Sequence, residues 1–164
     1  MKLWMASLAL GGALLAGRAQ AAGCPSGLVC AAEPQTLVSA LQAGGYKAAL
    51  GKSQQTGNPT IESAANGYNF TIYFYGCDSP GGCSSISFVT TFEKDSTNTA
   101  QLANLWNAGH RFSQMAINDN GTLAFSYDVT TVGGLNKANF ADVVDWWQTM
   151  LGEVGKFFKE HPAK

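Results

Sequence analysis

Residues 102–158 set four pieces in a row: a helix with an apolar stripe, a two-strand hairpin, a double glycine and a long amphipathic helix. They read LANLWN, RFSQMAINDNGTLAFSYDV, TTVGGLNKANF and ADVVDWWQTMLGEVGKFF. In the last piece Phe140, Val143, Val144, Trp147, Leu151, Val154 and Phe158 recur at helical spacing, a stripe wide enough to cover a sheet. Asn136 stands at the N-cap of that helix, with Leu135 and Phe140 placed to form a hydrophobic staple around it. Gly133-Gly134 lets the chain reverse before it. In the first piece Leu102, Leu105 and Trp106 make the stripe. Asn98, with Gln101 three residues on, has capping-box spacing, and Gly109 ends the helix. Strands over residues 112–117 and 122–129 are joined by Asp119-Asn120-Gly121, a hairpin turn.

The first half supplies the rest of a sheet. Pro34 suits the first position of a short helix, where its missing N–H costs nothing. Leu37, Val38 and Leu41 form its apolar face, and Gly44-Gly45 stops it. Tyr46, Ala48 and Leu50 alternate as a short strand. Residues 51–58 read as a turn, and residues 60–64 as a second strand. Asn66-Gly67 is a hairpin signal. YNFTIYFY, residues 68–75, is the strongest strand of the chain, dense in aromatic and β-branched residues, and SISFVTTF, residues 85–92, is its partner. The element order is α-β-β-β-β-α-β-β-α. Four successive strands joined by tight turns imply antiparallel pairing, hence an α+β fold with helices on one face of an antiparallel sheet.

The N-terminus reads as a targeting segment. Lys2 precedes an apolar run of about a dozen residues, and Ala19-Gln20-Ala21 is an A-x-A pattern. Cleavage between Ala21 and Ala22 is expected, with residues 1–21 a signal peptide, 22–33 an irregular mature N-terminus and 34–160 one domain. The run is short of the roughly 20 apolar residues of a membrane span. The four cysteines form two C-x5-C pairs, Cys24/Cys30 and Cys77/Cys83. Cys77 and Cys83 flank a loop of turn residues between two strands, which brings them within bridging reach. Cys24–Cys30 then follows by elimination, as expected of a chain exported to an oxidising compartment. Gly23-Cys24 is also the ending that lipoprotein processing uses, so anchoring through a lipid on Cys24 is the competing use of that residue. The spacing is wide for zinc.

The formal net charge is −1 and charges are scattered, so nothing resembles a basic nucleic-acid footprint. No catalytic motif emerges: no H-E-x-x-H, no nucleophile elbow, no phosphate-binding glycine loop. His161 lies in a polar tail, and His110 follows a helix end, where a histidine favours the dipole. Arg111 and Asp128 are placed to pair and tie the helix exit to the sheet. Asp119-Asn120-Gly121 lacks the acidic spacing of a calcium loop. Asn69 and Asn120 begin glycosylation-like triplets, Asn69 within a strand expected to be buried. Trp146 and Trp147 point about 100° apart on a helix. Trp147 joins the core stripe, and Trp146 is the one candidate partner-binding residue, with a core boundary as its alternative role. No catalytic, cofactor or metal site is expected.

LANLWNAGHRF, followed by a strand, DNG, a strand ending in Asp128, then VGGLNKANF and a Trp-bearing helix, resembles the YbjN family. ALQAGGYKAAL and YNFTIYFYGC…CSSISFVTTF resemble its first half. The family comprises bacterial proteins described as regulators of sensory transduction. The resemblance implies a fold similar to type III secretion chaperones, which are α+β, often dimeric, and bind other polypeptides. It carries no catalytic residue. The expectation is an exported, non-enzymatic protein, periplasmic or extracellular, that binds a protein or peptide partner or a second copy of itself. The rival expectations are a small-molecule sensor or hydrolase with a pocket under the last helix, and a lipoprotein anchored through Cys24.

Overall fold

The computed structural model describes residues 23–78 and 82–162. Nine elements follow in order: α1 (Pro34–Ala43), β1 (Ala49–Lys52), β2 (Pro59–Ala65), β3 (Tyr68–Tyr75), β4 (Ser85–Phe92), α2 (Ala100–Gly109), β5 (Ser113–Ile117), β6 (Leu123–Thr130) and α3 (Lys137–Glu160). This is the expected α+β order. The six strands form one antiparallel sheet, ordered β1-β2-β3-β4-β6-β5. The boundary between Ala21 and Ala22 lies outside the described residues.

Strand register divides the sheet into two unlike faces. Ile61, Ile72, Phe88, Tyr127 and Ser113 are aligned in one row across five strands. Aligned residues of a pleated sheet point to the same side, and every member of this row is buried. The next row on the opposite face reads Thr60, Tyr73, Ser87, Asp128. One face is thus apolar and the other polar, as for an antiparallel sheet with water on one side.

The helices cover the apolar face. Trp147 of α3 is fully buried, with its ring 5.7 Å from Phe70, 5.7 Å from Phe88 and 5.5 Å from Phe125. Trp106 of α2 meets Phe125 at 5.1 Å and Phe157 of α3 at 5.3 Å. Phe125 is therefore held between two tryptophans, and truncating such a core aromatic costs about 3–5 kcal/mol. Leu37, Val38 and Leu41 of α1 are also buried, with α1 packed against α3 and β1.

Local chemistry explains most boundaries. Asn66 and Gly67 both have positive φ (49° and 80°), the conformation a two-residue hairpin turn requires. Asn136 caps α3, its side chain accepting from the Asn139 N–H. Gly134 (φ 84°) admits no side chain, because a Cβ there would lie 2.8 Å from Leu28 and 2.9 Å from the sulfur of Cys30. The N-terminal strap therefore crosses directly over the β6–α3 junction, where Val29 and Leu135 exchange two backbone hydrogen bonds of 2.8 and 2.9 Å.

Several local expectations shift. The N-cap of α2 is Thr99, which accepts from the Leu102 N–H, and not Asn98. Asn98 donates instead to the carbonyls of Glu93 and Gly121. Leu105 turns to solvent and Ala103 takes its place in the buried stripe. In α3 the stripe gains Met150 and Phe157. Phe158 is half-buried at its margin, 4.8 Å from Phe92. β1 runs on through Gly51 and Lys52, residues that read as turn.

Candidate functional site

Both histidines are helix caps. His110 ends α2 with its ring stacked 3.6 Å from that of Trp106, and His161 ends α3 with its ring 4.3 Å from that of Phe157. In each, Nδ1 lies at 3.0 or 2.9 Å from the carbonyl four residues back. A carbonyl only accepts, so Nδ1 carries the proton.

The expected Arg111–Asp128 pair does not form. The Arg111 guanidinium lies over the ring of Phe112, 4.7 Å from its centroid, while Asp128 accepts from Gln114 Nε2 at 3.3 Å on the polar face. Among the described residues no group of three His, Cys, Asp or Glu side chains gathers to hold a metal ion. No helix there is long and apolar enough to cross a membrane.

Trp146 is 42% exposed, and it does not stand alone. Phe112, 45% exposed, faces it with ring centroids 5.1 Å apart, and Tyr127 lies 5.9 Å on the far side of Phe112. Phe112 has φ 69°. A bulky residue is rare in that left-handed region, and the strain is of order 1–3 kcal/mol. Three elements thus build one aromatic surface: the α2–β5 turn supplies Arg111 and Phe112, β6 supplies Tyr127, and α3 supplies Trp146. Burial, and then the nearby Asp142 carboxylate, push the Tyr127 phenol above its ordinary pKa.

Phe112 was expected inside a strand and proves to be the turn residue before it. Ser113, Met115 and Ile117 point inward, so continued alternation would put Phe112 on the polar face, and its left-handed φ of 69° brings the ring to the helix side instead.

A second feature is a cleft of about 680 Å³ between the N-terminal strap, α1 and α3. Leu28, Val29, Leu41, Phe140 and Val144 line its apolar part, with Glu33, Lys137 and Asp145 also lining it. The sulfurs of Cys24 and Cys30, and of Cys77 and Cys83, lie at disulfide distance. The first pair closes the strap that walls the cleft, and the second closes the β3–β4 loop. Two such pairs fit an oxidising environment. Asn69 is exposed, not buried as expected, and the side-chain oxygen of Asn120 is engaged by Thr122.

An antiparallel sheet backed by helices on one face defines an α+β domain. The chain belongs to the YbjN family, described as "Putative bacterial sensory transduction regulator", which matches residues 33–160. It is a regulator family and not a known enzyme family. No curated protein and no solved structure matches the chain.

Proposed function

We propose that this chain is an exported, non-enzymatic member of its family that binds a protein or peptide partner through the surface of Phe112, Trp146 and Arg111. The carrying observation is the pairing of two exposed aromatic rings, one of them on a left-handed backbone. Strain of that kind collects at functional sites. Tryptophan, aromatic and arginine side chains are also the residues that dominate binding energy at interfaces. The chaperone-like fold that the sequence resemblance implies is the ground for choosing a polypeptide partner, and the two cysteine pairs support export. With Cys24 bridged to Cys30, no thiol remains there for a lipid. An intact mass two disulfides below the reduced value, without added lipid, supports this arrangement, and lipid on Cys24 refutes it.

The test is capture from the exported fraction with the parent protein and with the Phe112→Asn/Trp146→Ala double variant. Asparagine tolerates the left-handed region, so the backbone is kept while the ring is removed. A partner retained by the parent and lost by the double variant supports the reading; equal capture by both refutes it.

The cleft of about 680 Å³ favours a second reading, a small-molecule sensor, because ligand sites are concave, mostly apolar and edged by a few polar groups. Thermal-shift screening separates the two: this reading requires a ligand whose stabilisation is abolished by Val144→Trp, which fills the cleft, and is untouched by Trp146→Ala.

A further inference from the structure

Among the described residues no helix lies on the polar face of the sheet, and the charge of that face is uneven. Its strand residues include Thr60, Asn69, Thr71, Ser85, Thr91, Gln114, Ser126 and Thr130. Glu62 and Asp128 are the only charged side chains among them, and both are acidic. The lysine nearest in the strands, Lys52, shares the parity of Leu50 and so belongs to the opposite face.

Both carboxylates sit in shaped surroundings. Tyr73, Ser87 and Asp128 form one row across β3, β4 and β6. Ser87 is 4% exposed although no helix among the described residues covers it, so its taller row neighbours Tyr73 and Asp128 shield it. Asp128 also accepts from Gln114 Nε2 at 3.3 Å, and Tyr75, two residues along β3 from Tyr73, is 52% exposed. On the other side of Tyr73 a recess of about 460 Å³ opens, lined by Glu62, Thr71, Val89 and Thr91. From strand spacing and rise, Glu62 and Asp128 stand roughly 16 Å apart with the Tyr73 ring between them.

We infer that this helix-free face is a docking surface for an extended, lysine- or arginine-bearing segment of another protein, with one cation received at Asp128 between Tyr73 and Tyr75 and a second at Glu62. Aromatic faces and carboxylates both attract ammonium and guanidinium groups, and no strand residue of this face is a cation. An extended segment rises about 3.3 Å per residue, so cations four residues apart, with the reach of their side chains, match the spacing. The inference goes beyond the aromatic surface of Phe112 and Trp146, which lies on the helix side.

The test is fluorescence anisotropy with the full chain and a labelled glycine–serine peptide bearing two lysines four residues apart. Controls are its glutamate counterpart and an unlabelled neutral oligosaccharide as competitor. The lysine peptide should bind, the glutamate peptide should not, and binding should weaken as salt rises from about 50 to about 300 mM. Glu62→Gln/Asp128→Asn, both exposed and isosteric, should weaken binding roughly tenfold. Tyr75→Ala should weaken it less, and Trp146→Ala should leave it unchanged, which keeps this result separate from the fate of the aromatic surface. Absence of lysine-peptide binding, equal binding of both peptides, an unchanged affinity in the double variant, or displacement by the neutral oligosaccharide would overturn the inference.

Discussion

The ring of Phe112 lies 5.1 Å from that of Trp146, tilted by 59°, and joins the start of β5 to the outer side of α3. Both rings are about half exposed, so the contact shapes a surface more than it fills a core. Phe112→Gly is therefore expected to unfold in urea within about 1 kcal/mol of the parent. Release from the left-handed region recovers roughly 1–2 kcal/mol, which offsets the lost ring contacts. A loss above about 3 kcal/mol, the range of a buried aromatic, would make Phe112 a core residue.

Asn107 guards the outer edge of β5. Its side-chain amide donates to the Met115 carbonyl at 3.0 Å and its oxygen accepts from the Met115 N–H at 2.8 Å, as a neighbouring strand would. Asn107→Leu frees that edge, and an open edge invites pairing between chains. The expected outcome is a stability loss of about 1–3 kcal/mol by urea unfolding and a shift toward oligomers by light scattering. An unchanged, monodisperse variant would show that the edge is guarded by something else.

Trp106 donates from Nε1 to the Ser113 hydroxyl at 3.2 Å, and both residues are buried. Ser113→Ala strands a buried donor and should cost about 1–3 kcal/mol. Ser113→Thr, which keeps the hydroxyl, should recover most of it. Failure of threonine to recover stability would point to packing and not to the hydrogen bond.

Much of the architecture was legible because some segments carry their answer locally. The two strands beside the cysteine loop match β3 and β4 residue for residue, since an aromatic and β-branched run flanked by turn residues has few other uses. The cap of α3 reads true for the same reason. Misread positions lack such a signal. β1 is exposed at all four residues, so no burial pattern announces Gly51 and Lys52 as strand. Leu105 and Ala103 exchange places because the hairpin, and not the helix, decides which side of α2 faces inward. Within the site Trp146 was legible from its offset to Trp147. Its contact with Phe112 was not, since it depends on a left-handed turn and on the long-range placement of α3. The Arg111–Asp128 pair failed because two charges close in sequence pattern sit on different faces of the sheet.

Alkaline pH should weaken the fold through tyrosine. Burial is the first cause raising the phenols of Tyr46, Tyr75 and Tyr127, followed by the Asp145, Asp128 and Asp142 carboxylates respectively. A folded pKa raised above the unfolded value gives stability that is fully present below about pH 10 and lost as pH climbs through the folded value. Unfolding midpoints should thus hold steady to about pH 9 and fall above pH 10. Tyr127→Phe should shallow that fall, and an identical alkaline profile would remove Tyr127 from the account.

Closing the β3–β4 loop by Cys77–Cys83 restricts the unfolded chain over a short span, which the entropic treatment values at about 2 kcal/mol. Cys77→Ser/Cys83→Ser should lose about that much while its circular dichroism stays that of the parent. Loss of the sheet signal would mean that the bridge is required for folding and not merely a clasp on a formed hairpin.

The central claim, that the aromatic surface meets another polypeptide, is tested most directly by placing a photoreactive phenylalanine analogue at position 146 or at position 105 in the exported protein. Trp146 and Leu105 are similarly exposed, at 42% and 48%, so access alone does not favour either. The account predicts one discrete crosslinked product from position 146, absent from position 105 and abolished when Phe112→Asn is added. Equal crosslinking from both positions, or a product that survives Phe112→Asn unchanged, would contradict it.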